Sequence, residues 1–273
     1  MKDYVLTLAA SRKTLNEKLN MLREYLQAYV LRIFHDEGFF RTTAFVGGTA
    51  LRFLHDLPRF SEDLDFSLEK PGNYSFVDLM KKTQSELVAS GYQIEIKYDD
   101  QKTVYSAFIK FEELLFEAGI SPLKSQKFSI KVEIDTRPPK GARLETKIVN
   151  KFFPISFLTY DITSLFAGKF HALLTRPYVK GRDFFDLGWY LSRFKNIEPN
   201  MDQLLNALRQ TGWKQEFPAE NNWREFLGRV VEKTDWKKVR PDVENFLERP
   251  TDLNIFTKEN ILELLKTKST GSQ

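Results

Sequence analysis

Asp63 and Asp65 are the residues whose types and spacing best suit metal chemistry. In a β-strand, alternate side chains point to the same face, so the two carboxylates would project in one direction. Mg²⁺ binds in proteins through one or two carboxylates together with the phosphates of a substrate. The pair therefore predicts a site for Mg²⁺ or Mn²⁺ that acts on a phosphate ester.

A glycine pair precedes these aspartates by a short distance. Gly47 and Gly48 follow an apolar run, Thr43 to Val46, and a helical pattern begins at Thr49. Glycines leave room for a polyphosphate, and the N-terminus of a helix favours anions. Alone, a glycine pair is usually a turn, and an Asp-x-Asp pair is usually solvated surface. Their order within FVGGTALRFLHDLPRFSEDLDF predicts instead a nucleotide site, with Thr49 and Ser61 among the residues beside the phosphates.

The hydrophobic pattern places this site in a mixed α/β region that extends to about residue 155. Beyond Pro154 the strand pattern fades, and a helical domain is predicted, giving domains of residues 1–155 and 156–273. Pro71 and Gly72 are predicted to end the strand that carries the aspartates. The predicted helices are Leu15–Phe34, Thr49–His55 and Val77–Ala89, followed by helices that begin near Asp161, Arg182, Met201, Trp223 and Glu259; the predicted strands are Thr43–Val46, Asp63–Leu68, Tyr92–Tyr98, Val104–Phe111 and Lys127–Thr136.

The composition bounds the classes of protein to consider. The chain has 273 residues, of which 42% are hydrophobic, so it can bury a sizeable core. It has no Cys, which excludes disulfides, cysteine nucleophiles and thiolate zinc sites. The net charge of +4 permits a polyanionic partner without requiring one. No stretch has the pattern of a secretory signal or a membrane span, so we expect a cytoplasmic protein that makes no membrane contact.

The segment from Thr43 to Phe66 resembles the polymerase-beta-like nucleotidyltransferases, whose motif is a Gly-Gly or Gly-Ser turn, a short helix and an Asp-hydrophobic-Asp strand. Within that superfamily, GGTAL followed by RFSEDLDF is similar to the AbiEii/AbiGii-type nucleotidyl transferase toxins of abortive-infection and type IV toxin–antitoxin systems. The resemblance implies an α+β fold. Its nucleotidyltransferase core would be a mixed sheet with flanking helices, and a C-terminal helical domain would close the cleft.

The resemblance also implies a third carboxylate on a later strand. FSIKVEIDTR offers two candidates, Glu133 and Asp135, which would lie on the same strand face. Glu133 fits the hydrophobic-acid-hydrophobic context better, and Asp135 remains the second choice. The alternative is an ordinary strand whose Lys131, Glu133 and Asp135 face water.

A second block, ITSLFAGKFHALLTRPYVKGRDFFDLGWYL, repeats the family's layout of a Lys within a helix followed by an Arg-Asp-x-x-Asp-Leu helix start. Lys169 would neutralise the charge that develops on the leaving pyrophosphate. Asp183 and Asp186, three residues apart on one helix face, would orient Lys169 and Arg182 or meet the nucleotide. The alternative is a surface pair of Arg182 with Asp186, while Asp183 serves the helix N-terminus.

These expectations combine into one hypothesis and two alternatives. The chain is expected to transfer a nucleoside monophosphate from an NTP to a hydroxyl, and the resemblance implies RNA such as the tRNA 3′ end as acceptor, with a cognate antitoxin encoded nearby. The alternatives are adenylylation of a small molecule or protein hydroxyl, and a non-catalytic nucleotide-binding module. The candidate catalytic residues are Asp63, Asp65, Glu133, Lys169 and Asp186, with Asp63 and Asp65 as metal ligands; the candidate nucleotide-binding residues are Gly47, Gly48, Thr49, Ser61, Lys169, Arg182 and Asp183.

Overall fold

The computed structural model describes residues 1–70 and 75–266. The turn predicted at Pro71 and Gly72 lies outside the described residues. The chain divides into two compact units. The first holds the described residues within Met1–Asp56, Phe60–Pro138 and Leu144–Thr159, and the second holds those within Leu57–Arg59, Pro139–Arg143 and Tyr160–Gln273.

The first unit is a mixed sheet with helices. Seven strands are hydrogen-bonded in the order β3-β4-β5-β2-β1-β7-β6. The strand β2 lies in the middle of the sheet, antiparallel to β1 and parallel to β5. In chain order the elements are α1 (Lys2–Ala10), α2 (Leu15–Asp36), β1 (Thr43–Val46), α3 (Gly47–His55), β2 (Leu64–Leu68), α4 (Phe76–Ala89), β3 (Ile94–Asp99), β4 (Val104–Phe111), α5 (Leu114–Glu117), β5 (Phe128–Asp135), β6 (Leu144–Asn150) and β7 (Pro154–Tyr160).

The long helix α2 packs against this sheet. It begins with a capping box in which Thr14 and Glu17 satisfy each other's free backbone N–H groups. Its apolar face, including Leu22, Leu26 and Val30, is fully buried in an aromatic-rich core. Burial of such a face contributes more to the stability of a helix in a protein than intrinsic propensity does. The helix α2 is therefore held against the sheet by its buried apolar face.

The second unit is helical. Its helices α6 and α7 carry the Lys169 block, and Phe166, Tyr190 and Trp223 pack ring to ring beneath it. No helix within the described residues is long and apolar enough to cross a membrane. In chain order the elements are α6 (Ile162–Thr175), α7 (Gly181–Arg193), α8 (Met201–Gln210), α9 (Trp223–Lys233), α10 (Trp236–Glu244) and α11 (Lys258–Lys266).

The sequence prediction was wrong about where strands end. Two further strands, β6 and β7, follow β5, and β7 begins at the proline beyond which the pattern was expected to fade. Every residue of β6 is exposed or half-buried, so its sequence lacks the apolar run that marks a central strand. The short helices α1, α5 and α10 were also missed. The division into domains at residue 155 stays a prediction.

Candidate active site

The carboxylate pair lies at the centre of the sheet of the first unit. Asp65 is the second residue of β2, and Asp63 lies immediately before that strand. In the strand register, Asp65 is beside Val46 of β1 and Glu133 of β5. Both aspartates are half-buried. The predicted strand thus presents Asp65 directly between the glycine turn on one side and the candidate third carboxylate on the other.

Gly47 touches the carboxylate of Asp65. Its φ of +78° is in the left-handed region, which favours glycine. A Cβ at this position would overlap the Oδ2 atom of Asp65 and would lie 2.9 Å from its Cβ atom and 3.0 Å from its Cγ atom. Glycine is therefore required here by the backbone angle and by the nearby carboxylate, which connects the two halves of the sequence motif.

The helix α3 begins at the glycine pair, two residues earlier than predicted. Its N-cap residue, Val46, makes no side-chain cap. Thr49 is fully buried and donates its hydroxyl hydrogen to the backbone carbonyl of Asp63. A helix start without a side-chain cap retains N–H groups that can donate hydrogen bonds to an anion, and Thr49 fixes that helix start beside Asp63.

Gln27 of α2 supports the segment that leads into β2. Its side-chain amide donates to the carbonyl oxygens of Ser61, at 3.0 Å, and Glu62, at 2.9 Å. Gln27 belongs to none of the sequence motifs that predicted the site. Gln27 is 2% exposed, and Asn20 and Glu24 of the same helix are buried as well. Polar residues at buried helix positions need hydrogen-bond partners, and this is the signal that could have found Gln27.

Lys131 is a cation among the candidate carboxylates. Its ammonium lies 2.8 Å from Glu133, and both side chains are 33% exposed. Burial alone would lower the pKa of Lys131, but Glu133, Asp63 and Asp65 outweigh it and raise that pKa above its usual value. Asp135 lies beside Ser67 instead of Asp65, and burial raises its pKa despite a hydrogen bond from the Arg137 backbone.

The donor set near Asp63 and Asp65 suits a metal held jointly by protein and substrate. Within residues 1–70 and 75–266, no group of three or more His, Asp or Glu side chains is arranged to hold a metal ion. Mg²⁺ needs only one or two protein carboxylates when phosphate oxygens and water complete its six ligands. The two aspartates, with glycine backbone beside them, fit that requirement.

The Lys169 block forms a buried chain of ion pairs in the second unit. The ammonium of Lys169 lies 2.9 Å from Asp183 and 2.7 Å from Asp186. Arg59 binds Asp186 through two hydrogen bonds of 2.6 Å each. The side chains of Arg59 and Asp186 are 2% and 0% exposed. Asp186 is thus held by two cations within the protein interior, and the surface pair with Arg182 considered as an alternative does not form.

The charges of this chain of ion pairs stabilise one another. Burial alone would raise the pKa of Asp186, but Arg59 and Lys169 outweigh it and hold that pKa below its usual value. Burial alone would lower the pKa of Lys169, but Asp183 and Asp186 outweigh it and raise that pKa. Both shifts favour the charged forms of Asp186 and Lys169. Arg59, for which no motif predicted a role, is the partner that makes the burial of Asp186 possible.

Two more arginines belong to this block. Arg176 extends the chain of ion pairs, with its Nε atom 3.0 Å from Asp183. Arg182 lies over the ring of Phe246 and pairs with Asp242 at 3.7 Å. The backbone N–H of Arg182 also donates to Asp242. Both arginines therefore have defined positions, and their partners differ: Asp183 for Arg176 and Asp242 for Arg182.

Residues 29–258 match the profile of a protein family described as "Nucleotidyl transferase AbiEii toxin, Type IV TA system". The chain belongs to this family. It is accordingly a nucleotidyltransferase, the class predicted from its motifs, and the family implies a nucleoside triphosphate as substrate and a cognate antitoxin as partner. The match covers both the glycine–aspartate segment and the Lys169 block.

Solved structures with the same fold come from Helicobacter pylori. A protein described as a candidate nucleotidyltransferase is 19% identical, with a TM-score of 0.57 over 89% of this chain and 92% of the other. The protein JHP933 is 20% identical, with a TM-score of 0.55 over 90% of each chain. These structures confirm the predicted α+β fold with a mixed sheet and C-terminal helices. No curated protein matches the chain significantly.

Proposed function

We propose that this AbiEii-family enzyme transfers a nucleoside monophosphate from an NTP to the hydroxyl of an RNA, such as the 3′ end of a tRNA, and that Asp63 and Asp65 hold the divalent metal. The observation that carries the proposal is the close approach of Gly47 to the Asp65 carboxylate. It brings a helix start without a side-chain cap and a pair of carboxylates to one point, and this combination suits a metal–triphosphate complex.

Each residue of the first unit has a role in the proposal. Mg²⁺ or Mn²⁺ supplies charge neutralisation at the phosphates when bound. Asp63 and Asp65 hold it, and the backbone of Gly47 and Gly48 receives the phosphate tail. Thr49, which is buried and bonded to Asp63, positions α3 instead of touching the phosphates. Ser61, held through its carbonyl by α2, remains a candidate neighbour of the nucleotide.

Glu133 is the better candidate for the third carboxylate, because it lies beside Asp65 in the register whereas Asp135 lies beside Ser67. Its role would be to accept the proton of the attacking hydroxyl. Lys131 forms an ion pair with the Glu133 carboxylate. The acceptor hydroxyl would therefore have to compete with Lys131 for Glu133.

In the second unit, we assign Lys169 and Arg182 the neutralisation of triphosphate charge, and Asp183 and Asp186 the positioning of Lys169. The contacts support this division because Asp186 is fully buried and bound by two cations. It holds other side chains in place. The reaction consumes an NTP, so we propose that it takes place in the cytoplasm, where an antitoxin encoded nearby would counteract it.

The test is incubation of the full chain and Mg²⁺ with each labelled NTP, in the presence of total RNA, protein extract or small metabolites. Label is expected in RNA alone. The Asp63→Asn variant should incorporate at least about a hundredfold less, since it loses a metal ligand at the reacting phosphate. Asp78→Asn, a change at an exposed aspartate of α4, is the matched control and should act as wild type. Label in protein or metabolites would contradict the RNA acceptor, and undiminished activity of Asp63→Asn would contradict the metal site.

A further inference from the structure

A small cavity in the second unit is lined by cations. Its volume is about 160 Å³, and it lies between the end of α6, the segment that leads to α7, and α9. Arg176, Lys180 and Asp183 supply its charged wall, and Tyr178 lies at the same wall with 61% of its surface exposed. The cavity is large enough for a phosphate group.

Lys180 is the cation of this wall that lacks an anionic partner. Within residues 1–70 and 75–266, its ammonium makes neither a hydrogen bond nor an ion pair. Asp183 cannot compensate it, because that carboxylate already binds Lys169 and Arg176. Arg182, the next cation along the chain, is paired with Asp242. Positive charge therefore exceeds negative charge at this wall.

The pKa of Lys180 reflects this excess of positive charge. Burial lowers the pKa of its ammonium, and Arg182, Arg176 and Lys169 lower it further, while Asp183 opposes them. The charged form of Lys180 is thus disfavoured without a ligand. An anion in the cavity would favour the charged form of Lys180, because it would supply the missing opposite charge.

Two neighbouring features favour an anion at the same place. Lys180 occupies the N-cap position of α7, a helix of 13 residues, and makes no side-chain cap. The positive end of the helix dipole therefore adds to the field of the lysine. Arg176 is held in place by Tyr178, whose hydroxyl oxygen accepts a hydrogen bond of 3.0 Å from its Nη1 atom. A fixed guanidinium can bind phosphate oxygens with little loss of entropy.

We propose that Lys180 and Arg176 form a phosphate-binding subsite, with the Lys180 ammonium as its principal donor. The inference rests on the proposed function for its source of phosphate, which is either the triphosphate of the NTP or the backbone of the acceptor RNA. The two sources share the chemistry of a phosphate oxyanion. Lys169 is neutralised by two aspartates, whereas Lys180 has no counter-ion among residues 1–70 and 75–266, so the subsite provides a cation that is available to a ligand.

The test measures binding to the full chain without catalysis. Inorganic tripolyphosphate and a single-stranded RNA oligonucleotide are titrated separately by calorimetry, in EDTA so that no metal bridges the ligand to Asp63 and Asp65. Lys180→Gln should weaken the binding of one ligand about tenfold or more, as expected for loss of a charge-assisted hydrogen bond. Lys195→Gln, which removes an exposed lysine of the same unit, should bind as wild type. Lys180→Arg, which retains the charge, should stay within about threefold of wild type.

The outcomes separate the sources and the two proposals. Weakened tripolyphosphate binding assigns the subsite to the NTP, and weakened RNA binding assigns it to the acceptor. Equal binding by wild type and Lys180→Gln in both titrations overturns the subsite, as does an equal loss in Lys180→Arg. Incorporation of label is measured separately. An enzyme that binds tripolyphosphate through Lys180 but transfers no nucleotide would retain the subsite and refute the proposed function.

Discussion

Gly47 has no atom beyond Cα, and the Asp65 carboxylate occupies the space that a side chain would need. We predict that Gly47→Ala displaces that carboxylate and lowers nucleotide incorporation at least about tenfold, with a higher Mg²⁺ concentration needed for half-maximal rate. Gly119→Ala is the matched control. It shares the left-handed backbone, with a φ of +63°, but its Cβ would meet nothing within 4 Å.

Each glycine variant should lose about 1 kcal/mol of unfolding free energy, because each forces a side chain into the left-handed region, and Gly47→Ala should lose more because its Cβ also meets Asp65. Only Gly47→Ala should lose activity. Urea unfolding and incorporation assays on the same preparations separate the two effects. Equal activities for the two variants would show that the contact with Asp65 has no catalytic consequence.

In the proposed metal site, Lys131 would compete with the ion for the same carboxylates, since it pairs with Glu133 and interacts with Asp63 and Asp65. We therefore predict that Lys131→Met lowers the Mg²⁺ concentration required for half-maximal incorporation. Lys127→Met is the control, because Lys127 pairs with Glu95 and Glu112 instead. A higher Mg²⁺ requirement in Lys131→Met would mean that this lysine assists the metal site.

At the scale of elements, α6 and α7 are joined through the charges of Lys169, Asp183 and Asp186. Asp186→Asn would leave Arg59 and Lys169 buried with less compensating charge. We predict a loss of about 3 kcal/mol of unfolding free energy, measured by urea denaturation. Glu232→Gln, at an exposed acid of α9, should change it by less than about 0.5 kcal/mol. A similar small change in Asp186→Asn would contradict a stabilising role for the ion pairs.

The elements that hold the site could be predicted from the sequence to within two residues. The alternation around Asp63 and the apolar run before Gly47 are local patterns, and local patterns determine whether a segment is helix or strand. The helix α3 started earlier than expected because Gly47 and Gly48 join its first turn. β6 escaped prediction because an edge strand without a buried residue has no apolar pattern.

The candidate site could be predicted in part. Family layout identified the carboxylates and Lys169, but no local pattern could show that Arg59 binds Asp186, since 127 positions separate them. The same limitation hid Gln27, which reaches Ser61 across 34 positions. Such partners are determined by tertiary packing. In the sequence, only a charged or amide residue at a position expected to be buried indicates that such a partner exists.

At the scale of the whole molecule, His55 makes stability depend on pH. Its ring contacts the ammonium of Lys147 at 3.1 Å, which requires a neutral imidazole that accepts the hydrogen bond. Burial and Lys147 lower the pKa of His55 from 6.5 to about 4, and Asp56 opposes them. Between these pH values the unfolded chain binds a proton that the folded chain does not, so stability is complete above about pH 6.5 and falls as the pH decreases toward 4.

We predict that wild type loses about 2 kcal/mol of unfolding free energy between about pH 7 and about pH 4.5, beyond the change seen in His55→Gln. Urea unfolding at several pH values measures the difference. His35→Gln, at an exposed histidine of α2, is the control and should follow wild type. Parallel pH profiles for wild type and His55→Gln would exclude His55 as the cause.

Leu57–Arg59 and Pro139–Arg143 belong to the helical unit although the chain on both sides of each belongs to the sheet unit. A gene fragment that starts at Tyr160 would encode Asp186 without its Arg59 partner. Recombination at a single breakpoint therefore cannot exchange the helical half between relatives intact. Homologues that acquire a new second half should therefore carry the matching short segments upstream as well.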